Sequence, residues 1–183
     1  MLFRQIKHRG DNFSYIIADE ITREAVVIDP SFNTEAIIQI LKTHNFQLKY
    51  IINTHGHADH TASNQELRKM FNAKIVAYKK SKINKHISVE DEDSIKIGKT
   101  TIKVIHTPGR TPDSICLLAN GKLLTGDTLF IGECGRTDLP GGSAEDIYNS
   151  LFNKILKLND GIEVYRTRLW RTTTLNNRQR KEN

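Results

Sequence analysis

The sequence predicts one domain of the α/β class, built as a layered sandwich of two β-rich halves with helices. The chain has 183 residues, of which 38% are hydrophobic and 26% are charged, as is typical of a folded domain with a substantial core. Strand-type runs alternate with helix-type runs in both halves, which favours helices packed on sheets. No internal repeat or low-complexity linker divides the chain, so we expect a single domain over residues 1–183.

The N-terminal half is predicted to alternate strands with two helices. Asn33 is a suitable N-cap for the first helix. Four apolar residues at helical spacing give this helix a buried stripe, namely Ile37, Ile38, Ile40 and Leu41. A polar helix is expected at about 62–71. Apolar and β-branched runs predict strands at 2–7, 14–18, 25–29, 49–53 and 74–78, with a turn at 9–12.

The C-terminal half is predicted to be a strand meander followed by a long loop and a helix. After the glycine-rich loop 126–142, Ser143 can cap a helix whose first turn is acidic. The buried stripe of this helix is expected to be Ile147, Leu151 and Ile155. The predicted strands lie at 93–97, 101–106, 114–119, 122–125 and 162–165, with turns at 98–99 and 120–121.

The net charge of +6 is concentrated at the C-terminus. Residues 166–183 hold six basic side chains and one acidic side chain, so this tail carries +5 and the other 165 residues carry +1. A basic tail of this kind is typical of a solvated terminus. Because the rest of the chain is nearly neutral, we expect no nucleic-acid partner.

The sequence also predicts the compartment. No run approaches the roughly 18 apolar residues of a membrane helix, and no apolar segment follows Met1 as in a secretory signal. The two cysteines, Cys116 and Cys134, are too few for a disulfide framework or a four-thiolate zinc site. We therefore expect a cytoplasmic protein without a membrane partner, either a monomer or a homodimer.

The motif with the clearest chemistry is His-Gly-His-Ala-Asp-His at 55–60. Four potential metal ligands fall within six positions, on a loop that directly follows an apolar strand. Alternate positions can face the same way, so His55 and His57 are suited to one point, and a following turn can bring Asp59 and His60 around a second. Neutral imidazole and carboxylate are suitable ligands for Zn²⁺ or Fe²⁺.

This motif resembles the His-x-His-x-Asp-His signature of the metallo-β-lactamase superfamily, and further matches follow in the same order. Residues 26–30, Val-Val-Ile-Asp-Pro, resemble the strand end that supports the metal loop, and 126–130, Gly-Asp-Thr-Leu-Phe, resemble the segment whose aspartate bridges two metals. Residues 135–139 resemble a loop of glyoxalase II-type hydroxyacylglutathione hydrolases and of persulfide dioxygenases. The resemblance covers about 2–177 and implies an αββα sandwich, in which helices flank two mixed β-sheets.

Carried over to the matching positions, the resemblance implies a site for two metal ions. His55 and His57 would bind the first metal, and Asp59 and His60 the second, with Asp127 between them. Zn²⁺ is the expected ion, in one or two copies, and Fe²⁺ and Mn²⁺ are alternatives. Such ions lower the pKa of a bound water, so that hydroxide forms at neutral pH and attacks a carbonyl. Asp59 and Asp127 are accordingly the candidate catalytic carboxylates.

Three further residues have candidate roles around this site. Asp29 would support the metal loop without binding a metal. Arg136 would either contact an anionic group of the substrate or brace its own loop. Cys134 is expected to be a small packed residue and not a nucleophile, because no suitable histidine is adjacent in sequence.

Two positions depart from the family pattern. Arg110 stands where the family has a histidine ligand for the first metal, and Arg168 stands at the position of the last histidine ligand. His106 is retained but does not occupy a usual ligand position. A guanidinium stays protonated and has no free lone pair, and at about 4 Å it meets roughly 8 kcal/mol of repulsion from a dication at an effective dielectric of about 20. We therefore expect both arginines to impair metal binding without altering the fold.

The second departure has a possible genetic origin. With suitable codons, a one-base shift over residues 166–170 reads Gly-His-Asp-Tyr-Gly, which is the motif that the family carries there. We hypothesise that compensating frameshifts produced residues 166–171, and coding DNA incompatible with the shifted reading would disprove this. The chain ends near the point where family members continue, so the sequence also predicts an incomplete C-terminal edge.

Three functions follow from these residues. The first is a glyoxalase II-like hydrolase of a small-molecule thioester, for which a glutathione-linked compound is a candidate, and in which metal-bound hydroxide attacks the carbonyl. The second is a mononuclear iron dioxygenase of a persulfide, with His55, His57 and Asp127 as a two-histidine, one-carboxylate set. The third is a catalytically inactive protein of the same fold, whose arginines fill a metal-free pocket.

Overall fold

The computed structural model describes residues 1–8 and 12–166, which form two mixed β-sheets. The first sheet has six strands in the order β1-β2-β3-β4-β5-β6, and the second has five in the order β11-β10-β9-β8-β7. The strands of the first sheet are β1 (Leu2–Lys7), β2 (Phe13–Ala18), β3 (Glu24–Ile28), β4 (Gln47–Ile52), β5 (Lys74–Tyr78) and β6 (Ile87–Val89). The strands of the second sheet are β7 (Ser94–Ile97), β8 (Thr100–His106), β9 (Ile115–Ala119), β10 (Lys122–Leu124) and β11 (Glu163–Tyr165).

Helices connect three of the four parallel strand pairs of the described residues, and a loop without a helix connects β5 to β6. In the first sheet, β1 pairs antiparallel with β2, and β2 pairs antiparallel with β3. The remaining pairs of this sheet, β3–β4, β4–β5 and β5–β6, are parallel. In the second sheet only β10 and β11 pair in parallel. Parallel neighbours need a crossover connection, usually a helix, and here helices link β3 to β4, β4 to β5 and β10 to β11. The helices are α1 (Thr34–Thr43), α2 (Ala58–Thr61), α3 (Asn64–Phe71), α4 (Ala144–Asn153) and a 3₁₀ turn, Ile155–Lys157.

Three apolar clusters define four layers. The largest lies between the two sheets and joins residues such as Ile17 and Ile52 with Ile102 and Leu117. A second cluster packs α1 and α3 on the outer face of the first sheet. A third joins the outer face of the second sheet to the 3₁₀ turn through Ile155. Neighbouring residues of a strand face opposite layers, so all six residues of β2 are buried, and the αββα sandwich is confirmed.

The C-terminal end of the described chain is fastened to this inter-sheet core. The Tyr15 hydroxyl donates a hydrogen bond to the main-chain carbonyl of Arg166. The Tyr165 ring lies 4.5 Å from the ring of Phe3 and 6.1 Å from that of Tyr15. Apart from Arg166, the predicted basic tail lies outside the described residues.

Most predicted elements are confirmed, with ends that differ by one or two residues. The predicted helix at 62–71 is confirmed as α3, which begins two residues later, whereas the short helix α2 was not predicted, because the metal motif itself becomes helical from Ala58. The short strand β6 was not predicted. Ile155 is buried as expected, but it lies in the 3₁₀ turn, because α4 ends at Asn153. The predicted turn at 9–12 falls outside the described residues except for Asn12. None of the helices in the described ranges has the length and apolar character needed to cross a membrane.

The strand ends bring the chemically interesting segments to one end of the sandwich. Asp29 directly follows β3, and the metal motif follows β4. Asp127 follows β10 in the other sheet, and the Ile115 N–H donates to the Thr54 carbonyl at 2.8 Å, which ties the two sheets together there. The site therefore depends on how closely the two sheets approach.

Gly126 allows this approach, and its substitution tests it. Its φ is +53°, and a Cβ at this position would lie 2.6 Å from Thr54 Oγ1. We expect Gly126→Ala to lower the free energy of unfolding by about 2–5 kcal/mol, from left-handed strain and overpacking together. Gly121 is the matched control, since its φ is +73° but nothing lies within 4 Å, so Gly121→Ala should cost only about 1–2 kcal/mol. Denaturant unfolding followed by circular dichroism measures both, and equal losses would contradict the close approach.

Candidate metal centre

Three buried side chains from different elements meet at the end of the sandwich. His55 follows β4, His60 lies on α2 and Asp127 follows β10, and one ligand atom from each lies within 4.8 Å of the others. All three are at most 3% exposed. Groups of this type, gathered from segments distant in sequence, could hold a metal ion.

The donor atoms form two sets that share Asp127. On one side, His55 Nε2 lies 2.7 Å from His57 Nδ1 and 3.7 Å from Asp127 Oδ2. On the other side, His60 Nε2 lies 3.5 Å from Asp127 Oδ1 and 3.9 Å from Asp59 Oδ2. Ligands about 2.0 Å from a tetrahedral ion stand roughly 3.3 Å apart, so most of these separations are close to those of a ligand set.

His60 gives the clearest sign that a cation fits. Its Nε2 atom is buried and makes no hydrogen bond to any described residue, because the nearest carboxylate oxygen is beyond normal hydrogen-bond length. A buried polar atom without a partner is costly. A metal ion between His60 and the neighbouring carboxylates would satisfy it.

Asp29 fixes the orientation of His60. Its carboxylate accepts hydrogen bonds from the Thr54 N–H at 2.7 Å and from the Thr54 hydroxyl at 2.6 Å. The same carboxylate lies 3.0 Å from His60 Nδ1. Asp29 adopts a left-handed φ of +47°, an uncommon conformation that is found at functional sites. Pairing at Nδ1 leaves Nε2 of His60 directed at the other carboxylates, as in many metal sites.

The histidines differ in charge in the metal-free protein. Burial lowers the pKa of His60, but the carboxylates of Asp29 and Asp127 outweigh it and raise the pKa to about 10. Burial, reinforced by the charge of His60, holds the pKa of His55 well below its usual value. Burial and the Arg110 guanidinium also lower the pKa of His57. His55 and His57 thus offer lone pairs at neutral pH, whereas His60 must lose a proton before it can bind a metal.

Arg110 faces the site and is not turned to solvent. It is only 6% exposed, and its Nε donates to Asp127 Oδ2 at 3.2 Å. Its Nη1 is buried and makes no hydrogen bond within the described part of the chain. The guanidinium therefore neutralises Asp127 on the side of His55 and His57, and leaves Oδ1 on the side of His60.

The other residues considered from the sequence do not belong to the two donor sets in the described part of the chain. Arg136 is exposed and forms two hydrogen bonds with Asp138, at 2.7 and 2.6 Å, so it braces its own loop here and its contact with a substrate stays a prediction. Cys134 is exposed, and the expectation of a packed residue was wrong, because this part of the loop runs over the surface. His106 stacks on Tyr78 with ring centroids 3.9 Å apart. Arg168 lies outside the described residues.

Some residues at the site were not predicted from the sequence. Asn12 donates to Asp59 Oδ2 at 3.1 Å, and nothing in the sequence pattern marks an asparagine that lies 47 positions away. A cleft of about 570 Å³ opens beside His57, and its lining includes Lys80, Lys82 and Asp113. The sequence did not predict this cleft, because Lys80 and Lys82 lie in a polar loop with no recognisable binding motif.

Comparison with known proteins places the chain in a family. The metallo-beta-lactamase superfamily model matches residues 9–86 and 79–165. The chain belongs to the metallo-beta-lactamase superfamily. Members of this superfamily bind metal ions, and the described residues contain a possible metal site at His55, His60 and Asp127.

Named relatives within the superfamily differ in activity. The chain is 34% identical over 160 residues to the probable polyketide biosynthesis zinc-dependent hydrolase PksB of Bacillus subtilis, covering 84% of this chain and 71% of PksB. It is 38% identical over 160 residues to a hydroxyacylglutathione hydrolase of Pelagibacter ubique, covering 85% of this chain and 65% of that protein. The crystal structure of ETHE1 from Myxococcus xanthus superposes with a TM-score of 0.94 at 32% identity, over 99% of this chain and 82% of that one. The chain thus spans about two thirds of the length of the two curated relatives.

Replacing Arg110 tests how it affects metal binding. Arg110→His removes a cation and adds an imidazole beside His55 and His57, so we expect zinc to bind at least tenfold more tightly, in line with the effect of metal-site substitutions. Arg110→Gln is the control, since it removes the charge without adding a ligand, and it should give a smaller gain. Competition with a chromophoric chelator measures both variants. If Arg110→His binds no more zinc than the parent chain, Arg110 does not occupy a ligand position.

The protonation of His60 predicts how the metal-free protein responds to pH. The pKa of about 10 lies above the value of about 6.5 for an unfolded histidine. The stability that His60 contributes is therefore complete below pH 6.5 and is lost as the pH rises through 10, with a slope of up to about 1.4 kcal/mol per pH unit. Unfolding in denaturant with chelator, from pH 6 to 10, measures this slope. Asp29→Asn removes the facing carboxylate and should flatten it, and an unchanged slope would exclude the Asp29–His60 pair as its source.

Proposed function

We propose that this protein is a metal-dependent hydrolase that cleaves a thioester. The observation that carries the proposal is the pair of donor sets that share Asp127, because two adjacent metal positions suit a hydrolytic site. Only one of them is affected by Arg110, since the guanidinium pairs with Oδ2. The set formed by His60, Asp59 and Asp127 Oδ1 stays clear of it.

In this proposal each residue of the site has one task. His55 and His57 hold the first metal position, Asp59 and His60 hold the second, and Asp127 bridges them. Zn²⁺ suits these nitrogen and oxygen ligands best, and Fe²⁺ or Mn²⁺ could replace it. A bound ion supplies Lewis acidity, which generates a hydroxide nucleophile near neutral pH.

The supporting residues act on the ligands. Asp29 accepts the Nδ1 proton of His60 and so presents Nε2 to the metal position. Asn12 holds the Asp59 carboxylate by donating to Oδ2. Arg110 keeps the charge of Asp127 balanced, and it thereby weakens the first metal position.

The substrate in this proposal is a small-molecule thioester whose thiol carrier resembles glutathione. Support comes from the similarity to a hydroxyacylglutathione hydrolase and from the cleft beside His57, which is of the size that small ligands occupy. We place the protein in the cytoplasm, where Cys116 and Cys134, which form no disulfide within the described residues, would stay reduced.

A second candidate is a persulfide dioxygenase, favoured by the TM-score of 0.94 with ETHE1 from Myxococcus xanthus. His55, His57 and Asp127 would then form the iron site. Arg110 weighs against this candidate, because it pairs with the Asp127 oxygen that faces His55. The proposed hydrolase site also uses His60 and Asp59 as metal ligands, whereas a mononuclear site formed by His55, His57 and Asp127 would not.

One experiment separates the candidates. The protein is loaded with zinc or iron, its metal content is measured, and it is given S-lactoylglutathione or glutathione persulfide. We expect zinc uptake and release of thiol from the thioester without oxygen consumption, and Asp127→Asn should abolish both uptake and thiol release. Asp93→Asn is the matched control and should change neither, because this carboxylate precedes β7 and accepts a hydrogen bond from the Glu90 N–H, outside both donor sets.

Two results would contradict the hydrolase. Oxygen uptake by the iron form with the persulfide, and no thiol release with the thioester, would replace the hydrolase by the dioxygenase. A chain that takes up none of zinc, iron or manganese would overturn both enzymes and leave the inactive protein.

A further inference from the structure

The cleft beside the metal centre contains a largely buried carboxylate that has no partner among the described residues. Asp113 lines the cleft together with His57, Lys80 and Lys82. It is only 9% exposed, and within residues 1–8 and 12–166 no hydrogen bond or ion pair engages its carboxylate. A carboxylate buried to this extent normally has a donor or a cation as its partner.

The local turn does not supply that partner. Asp113 belongs to the turn 111–114, which is closed by the Ser114 N–H and the Thr111 carbonyl. The two hydroxyls of the turn bond to each other, with Thr111 Oγ1 and Ser114 Oγ 2.8 Å apart. The side chains nearest in sequence are therefore already occupied, and the Asp113 carboxylate is left for a group that enters the cleft.

Ser81 is a second unsatisfied group, which lies against Gly56 next to the residues that line the cleft. It is 6% exposed, and its hydroxyl has no hydrogen-bond partner among the described residues. Its main chain is held firmly, since its N–H donates to the Tyr78 carbonyl and its own carbonyl accepts from Lys85 Nζ. A buried hydroxyl on a fixed backbone can both donate to a ligand and accept from it.

Gly56 brings these two groups together. A Cβ built on Gly56 would lie 3.3 Å from Asp113 Oδ2 and 3.5 Å from Ser81 Oγ. The carboxylate and the hydroxyl thus border the same glycine, which stands between the first two histidines of the metal motif, His55 and His57. The absence of a side chain at this position keeps the wall of the cleft open there.

We propose that Asp113 and Ser81 form a binding site for a primary ammonium group. Two oxygen acceptors, one of them charged, match an ammonium with its three donors. The exposed side chains of Lys80 and Lys82 line the same cleft, and they suit a carboxylate on the same ligand. The chemistry that fits is a zwitterionic α-amino acid group at one end of the thiol carrier.

This site would also select against other carriers. A phosphate-bearing carrier would place its anionic groups near Asp113, and like charges repel most strongly where water is excluded. A neutral carrier would leave the carboxylate buried and unpaired, and a site built for a polar group rejects an analogue that lacks it. The inference rests on the proposed function for the carrier that it names, but binding can be measured without turnover.

The test compares two thioethers that cannot be hydrolysed, S-methylglutathione and its N-acetyl derivative, by isothermal titration calorimetry on the full chain. The derivative retains both carboxylates and lacks only the ammonium. We expect the parent chain to bind S-methylglutathione about tenfold more tightly than the derivative, equivalent to about 1.4 kcal/mol. In Asp113→Asn this preference should disappear, and in Ser81→Ala it should shrink.

Two controls separate the roles of the cleft residues. The double variant Lys80→Gln, Lys82→Gln should weaken both ligands and leave their ratio unchanged. Asp93→Asn should bind both as the parent chain does. Circular dichroism and the melting temperature establish that each variant is folded, and Ser81→Ala carries the test if Asp113→Asn does not fold.

Several results would overturn the proposal. Equal affinity of the parent chain for both thioethers, or a preference that survives in Asp113→Asn and in Ser81→Ala, would show that no ammonium is recognised here. Failure of the parent chain to bind S-methylglutathione at millimolar concentration would do the same. Preserved ammonium preference in a protein that hydrolyses no thioester would instead refute the hydrolase and leave this site standing.

Discussion

The carboxylate of Asp29 holds the end of the sandwich together. One side chain accepts the main-chain N–H and the hydroxyl of Thr54 and lies within hydrogen-bond reach of His60 Nδ1. It thus links the end of β3, the end of β4 and helix α2. The left-handed backbone of Asp29 directs the carboxylate back over the strand ends. Without this link, the loop that carries the metal motif would have no fixed orientation relative to Asp127.

Arg110 changes the electrostatics of the site more than its shape. The buried guanidinium lies beside a carboxylate and does part of what a cation would do there, since it balances a negative charge that would otherwise be buried alone. The positive charge of Arg110 is always present and does not depend on the binding of an ion from solution, but it cannot polarise a substrate as a metal ion does. The site therefore has one position in which the protein supplies the charge and another in which the charge must come from solution.

The fold was predictable in large part because strands such as β2 and β3 are buried on both faces. Continuous apolar runs such as those of β2 and β3 have few alternatives, and the spacing of the histidine motif indicated the position of the site. The strand β6 was not predictable, because Ile87–Val89 has three residues and Ser88 is exposed. Helix α2 was not predicted, because the polar sequence of residues 57–60 is typical of a loop. The contact between His60 and Asp29, which orients this segment, cannot be inferred from the sequence.

The details of the site depended on contacts that sequence spacing does not encode. Arg110 is long enough to reach either Asp127 or solvent, and only the packing of the two sheets decides between them. Cys134 could be judged only by residue type, which favours burial, whereas its loop lies on the surface. Asp113 sits among Thr, Pro and Ser in an ordinary turn, and its lack of a partner is visible only when the opposite wall of the cleft is in place.

The Tyr15–Arg166 hydrogen bond has a consequence for how this protein can change over time. Among the described residues, the final strand is in place and the inter-sheet core is closed by position 166. The contacts that close this core therefore come before the ligand position that the family resemblance predicts at 168. If that prediction holds, a lineage with this arrangement can change the ligand position while these core contacts remain, so natural selection can act on its chemistry and on its folding separately.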